Sequence, residues 1–281
     1  MNRLAVLAMV CCVPVLTAAQ SPPERGDAGF VYRFSRETPV SYRFTADGDV
    51  SFGYEGTGTE TLKVKMSAVL PLALKDARDG VFSIEIAPKK TKIQVNDTIL
   101  EDLTGAESVS AALTAVSLSL ADSGRVITTE DRSAGIVSIG KLLCLIPAFP
   151  APTLTPGRRW KQTVSALSFP GIPMPDLEFW YVYDGMKPQG ASFTLTGDQI
   201  IKQTKRQGDV AVTMNGRARG AGKLFFSTDQ GRIEQSSGTI DLNLRVIFGL
   251  PPVPGEKGGQ SLPMTVNMKM SYGLTRLDQD H

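Results

Sequence analysis

A period of two governs this sequence. Residues 262–274 set Leu262, Met264, Val266, Met268, Met270, Tyr272 and Leu274 against Thr265, Asn267, Lys269 and Ser271. Such alternation gives a strand one apolar and one polar face. The pattern returns at 60–68 (Leu62, Val64, Met66 against Lys63, Lys65, Ser67) and at 81–87, 210–214 and 240–248. Strands with one dry and one wet face belong to antiparallel sheets, because parallel sheets are covered on both sides and read as unbroken apolar runs. Turn dipeptides fall between strand-like runs at Asp47-Gly48, Asp79-Gly80, Ser123-Gly124, Asp184-Gly185, Gln207-Gly208 and Gln230-Gly231. Roughly a dozen strands are expected on this pattern. Helical signal is confined to Glu107–Val116 and Ser133–Leu145, the second ending just before Pro147. The expected fold is mainly β: antiparallel curved sheets, half-barrel or sandwich-like, with one or two short helices.

Asp122-Ser123-Gly124-Arg125 and Asp229-Gln230-Gly231-Arg232 share the pattern Asp-x-Gly-Arg followed by an aliphatic residue. The echo fits two similar halves, and it equally fits one good hairpin turn used twice. A Pro-rich stretch with Pro147, Pro150, Pro152 and Pro156 separates the halves. Proline cannot donate to a strand ladder, so this stretch reads as connection. The expected organisation is a leader at 1–19, an N-terminal β-rich half at 20–130, a helix and Pro-rich connection at 131–157, and a C-terminal β-rich half at 158–281.

The leader has a basic start at Arg3, an apolar run from Leu4 to Leu16, and small residues Thr17-Ala18-Ala19 before Gln20. This order is that of a secretory signal peptide, with cleavage expected between Ala19 and Gln20. The run is too short for a spanning helix. The expected address is extracytoplasmic, periplasmic or secreted, with no membrane span once the leader is removed. Cys11 and Cys12 would leave with it, and Cys144 alone cannot form an internal disulfide.

Composition narrows the chemistry. The 281 residues hold one histidine, His281, which limits histidine-based catalysis and metal binding. Thirty Lys and Arg face 28 Asp and Glu, so no nucleic-acid partner is expected. The basic clusters Lys89-Lys90-Lys92, Arg158-Arg159-Lys161, Lys202-Lys205-Arg206 and Arg217-Arg219-Lys223 read as solvated strand faces or edges. Ser138-x-x-Lys141 matches one motif of penicillin-recognising enzymes without its partner motifs. Asp176, Glu178 and Asp184 near Trp180 offer carboxylates and an aromatic for carbohydrate hydrolysis. The binding candidates are Trp180, Met264, Met268 and Met270, because methionine is adaptable and recurs on surfaces that accept apolar ligands. No catalytic residue, metal ligand or cofactor is assigned.

Tyr32-x-Phe34, Tyr42-x-Phe44, Pro156-Gly157-Arg158-Arg159-Trp160 and the run Phe225–Ile233 carry a resemblance. With the leader, they resemble uncharacterised exported β-rich proteins of bacteria. The last run is similar to a strand–turn–strand of envelope proteins with a lipoprotein-carrier-like half-barrel. The resemblance implies fold and compartment and carries no catalytic residue. The reading is an exported, non-enzymatic protein that binds an apolar or lipid-like ligand or an envelope protein partner. A carboxylate hydrolase acting on carbohydrate or cell wall, and an outer-membrane β-barrel, are the alternatives.

Overall fold

The computed structural model describes residues 29–99, 116–131, 146–165, 175–207, 210–249 and 261–277. Among these residues the chain forms strands and no helix. Both candidate helices lie outside them, save Val116, which opens a strand. The first half contributes β1 (Val40–Tyr54), β2 (Glu60–Arg78), β3 (Val81–Ile86), β4 (Lys89–Val95), β5 (Thr98–Ile99), β6 (Val116–Ala121) and β7 (Val126–Asp131). The second contributes β8 (Arg159–Ser165), β9 (Asp176–Lys187), β10 (Gly190–Gln207), β11 (Val210–Ser227), β12 (Arg232–Gly249) and β13 (Ser261–Leu277).

All thirteen belong to one antiparallel sheet, eleven of them in the order β7-β6-β3-β2-β1-β13-β12-β11-β10-β9-β8 with β4 and β5 off this path. The strand β2 forks. It pairs with β3 from Leu72 to Arg78 and with β4 from Val64 to Val69, and β4 carries β5. The halves are joined by a long β1–β13 ladder running from Ser41↔Leu277 to Tyr54↔Met264. The architecture is therefore one open sheet rather than two sheets packed as a sandwich.

The sheet curls. A chain of ring contacts Phe82–Phe34–Tyr32–Phe226 runs at 5.2, 6.2 and 5.1 Å between centroids. Its total is shorter than the ~24 Å that would separate β3 from β11 on a flat sheet. Twist accumulated over this many strands demands such curling, and it lets one sheet cover its own apolar face. That face is dry from Leu70 and Ile84 in one wing to Leu195 and Val246 in the other, each 1% exposed or less. The opposite face carries Thr196, Asp198 and Lys202 on β10, Arg217, Arg219 and Lys223 on β11, and Asn243 and Arg245 on β12. A lipid-facing barrel needs the reverse, an apolar outer band on a closed sheet. No helix among the described residues is long and apolar enough to cross a membrane.

Two turn expectations are corrected. Asp47-Gly48 lies inside β1, and Asp184-Gly185 lies inside β9, opposite the irregularity between Ser192 and Phe193. Gly48 stands opposite Met270 and Val64 on the apolar face, where a Cβ would fall 2.7 Å from the Met270 Cα. It is there for close strand packing rather than for a turn. Asp79-Gly80, Ser123-Gly124 and Gln230-Gly231 are turns, with φ of 73°, 88° and 63° at the three glycines. Gln207-Gly208 runs into residues outside those described.

Candidate functional site

The open edges of the sheet, β7 and β8, are bridged by two segments that are not strands. The first is 29–34. Phe30 and Tyr32 are 1% and 2% exposed, and Arg33 between Tyr32 and Phe34 points to solvent. Its backbone is fastened at three places: Phe30 N–H donates to Pro152 O (2.7 Å), Tyr32 N–H to Asp122 O (2.7 Å) and Arg33 N–H to Gly231 O (2.8 Å). Both Asp-x-Gly-Arg turns thus hold adjacent residues of one strap. Gly124 and Gly231 are the turn glycines. A Cβ on Gly124 would overlap the Tyr32 ring and the Pro147 carbonyl, and one on Gly231 would sit 2.6 Å from Val31 O.

The second segment is 146–154. Ile146, Phe149 and Leu154 are buried. Phe149 N–H donates to Ser123 O (2.7 Å). From β8, the Gln162 amide clips the loop, accepting from Ala148 N–H (2.8 Å) and donating to Ile146 O (3.0 Å). The Tyr32 hydroxyl donates to Pro147 O at 3.1 Å. Burial raises the Tyr32 phenol well above its ordinary pKa. The Pro-rich stretch read as a plain connection is therefore one wall of the seam.

An aromatic cluster fills this seam. Phe149 meets Phe226 edge-on at 4.9 Å, Phe30 meets Phe193 at 5.5 Å, and Trp160 stacks on Tyr181 at 5.5 Å and 14°. Outside it opens a cavity of about 550 Å³ lined by Phe30, Phe149, Ala151, Pro152 and Trp160, with Asp122, Arg125 and Lys161 also in its walls. Its size falls within the range of small-molecule sites. Trp160 is 9% exposed, and its Nε1 is buried with no hydrogen-bond partner among the described residues. An unsatisfied buried donor costs about 1–3 kcal/mol.

The methionines and Trp180 are not brought together. Met264, Met268 and Met270 are 3%, 3% and 8% exposed on the curled inner face, beside Val246, Leu242 and Ile240 of β12. Trp180 is on the other face, 41% exposed, with the Arg159 guanidinium 5.1 Å and the Lys161 ammonium 6.0 Å from its ring centroid. Alternation decides this: Phe179 and Tyr181 flank Trp180 and take the inner face. Phe30 and Phe149 are not singled out by the sequence, and Trp160 enters only as the end of the Pro156–Trp160 run. The alternation Phe30-x-Tyr32-x-Phe34 is the visible signal for Phe30, while Phe149 lies among prolines without one.

The β9 carboxylates are occupied. Glu178 pairs with Lys161 (2.9 Å) and Asp176 with Lys205 (3.4 Å), while Asp184 accepts from Thr194 (2.8 Å) and Ser192 (3.2 Å) hydroxyls. Glu178 and Asp184 are six residues apart, about 20 Å along a strand, beyond the ~10 Å that a glycosidase pair allows. No group of three or more potential metal ligands occurs among the described residues. Ala19, Gln20, Ser138, Lys141, Cys144 and His281 lie outside them.

No family model matches this sequence, and no curated protein matches it. Among solved structures, a chain described under lipid–protein interactions in lipovitellin aligns with a TM-score of 0.48 at 12% identity. The alignment covers 88% of this chain and 26% of that one, so the chain spans about a quarter of its neighbour's length. A score at that level assigns neither family nor ligand.

Proposed function

We propose that this is an exported, non-enzymatic protein that binds an apolar or lipid-like molecule, held at the seam between the sheet edges. One observation carries the reading: the seam cavity presents the aromatic walls of Phe30, Phe149 and Trp160. Apolar walls with one or two fixed polar groups are what a site for such a molecule needs. Arg125 in its walls suits an anionic head group. Export is supported by the order of charge, apolar run and small residues at 1–20.

The two tryptophans make the test direct. In a Trp180→Phe variant, Trp160 is the remaining reporter. A bromine-labelled fatty acid should quench its emission saturably, and Phe149→Ala should weaken the effect. Absence of saturable quenching, together with no lipid in solvent extracts of the purified protein, would reject the proposal. Export is tested separately: the N-terminus of material secreted to an extracytoplasmic compartment should read Gln20.

A further inference from the structure

A second concavity lies on the polar face, and the seam plays no part in it. Its volume is about 680 Å³, and its walls include Arg43, Lys90, Lys92, Ser41 and Ser67 over an apolar base that includes Val69 and Leu277. The backbone builds it deliberately. Where β2 forks, Ser67 pairs with Lys92 and Val69 with Lys89, so two steps on β2 face three on β4. The extra residue bulges the strand, and Lys90 takes a left-handed φ of 50°. Lys90 and Lys92, two residues apart, share the polar face of β4 and both line the concavity with Arg43 of β1, whose partner on β2 is Val69. A non-glycine residue in that conformation is strained, and such strain collects where a side chain must be aimed.

Three cations share the concavity with one carboxylate, Glu37. Arg43 and Lys90 meet no carboxylate at ion-pair distance among the described residues. Several other cations on this face are paired: Arg217 with Asp198, Lys65 with Asp47 (3.8 Å), Arg245 with Glu55 (3.0 Å). We infer that the concavity is a binding site for a phosphoryl group carried on a small organic body. The guanidinium fork and ammonium groups suit the phosphoryl oxygens, and the serine hydroxyls add donors. The apolar base takes the organic part, for which the volume leaves room.

Phenyl phosphate is the probe. Calorimetric titration of the whole protein should show saturable binding that weakens as salt rises. Arg43→Gln and Lys90→Gly should each weaken it about tenfold or more, the loss of a charge-assisted hydrogen bond. Lys90→Gly removes the charge while favouring the left-handed φ, so lost binding cannot be lost folding. Lys269→Gln, on the same face outside the concavity, should bind as the parent does. Co-sedimentation with phosphatidylglycerol vesicles identifies the source. Capture that phenyl phosphate displaces points to a lipid head group, and phenyl phosphate binding without capture points to a soluble phosphoester. No calorimetric binding, or binding that survives both substitutions, overturns the site.

Discussion

At the scale of single residues, the two strap-holding turns depend on what a side chain would strike. Gly124 has a φ of 88° and a Cβ there would overlap the Tyr32 ring. Gly56 has a similar φ of 85°, and a Cβ there would meet nothing within 4 Å. Gly56→Ala should therefore cost about 1–2 kcal/mol for the left-handed backbone alone. Gly124→Ala should cost about 3–4 kcal/mol, because overpacking is added. Urea unfolding of the pair separates the two effects, and equal losses would show that the strap does not press on the turn. The buried tyrosines give a second expectation. Burial raises the phenols of Tyr32, Tyr42 and Tyr272, the last up to about 12. A phenol in the unfolded chain ionises near pH 10. Below that pH both states keep the proton and stability is unaffected. Above it the unfolded chain loses protons that the native state retains, so stability falls as pH rises from about 10 to 12. Phenolate absorbance should rise in step with loss of the β-sheet circular dichroism, and ionisation ahead of unfolding would contradict the burial.

At the scale of elements, strands were legible wherever alternation ran long enough to fix a face. Gly48 shows how the signal was misread. Tyr42, Phe44, Ala46, Gly48 and Val50 share one parity, so the glycine continues the apolar face, while Asp-Gly chemistry alone suggests a turn. The carboxylate and methionine candidates failed to converge for a related reason: periodicity assigns a face, but not which strands become neighbours. The wall built by 146–154 was hidden because prolines remove the ladder pattern, leaving Phe149 without a period to mark it. The structure gives that residue a measurable weight. Phe149→Ala should cost about 3–5 kcal/mol as a buried aromatic deletion. Hydrogen exchange should quicken first at Ser123 and along β8, where this loop is bonded and clipped. A uniform change across all strands would mean that the loop does not secure the edges.

At the scale of the whole molecule, the halves read from sequence meet in one ladder. Severing the chain between Gly157 and Arg158 leaves β1 exposed on one fragment and β13 on the other. These long edges match each other in register, so the co-expressed fragments should assemble into one species of intact mass on size exclusion. Each expressed alone should aggregate through its open edge. Fragments that stay soluble and separate would show that the ladder does not hold the halves together.

The same ladder sets a timetable for the chain during synthesis. The strands first and last in sequence stand side by side at the middle of the sheet, and the seams outside them come from the interior of the chain. A growing polypeptide can pair β12 with β11, yet the centre stays unfilled until β13 emerges. Through that interval the edge of β1 has nothing on its far side and β12 waits open beside it. A chain that must finish before its middle can close is poorly served by folding early, and well served by being held unfolded until its last strand is available.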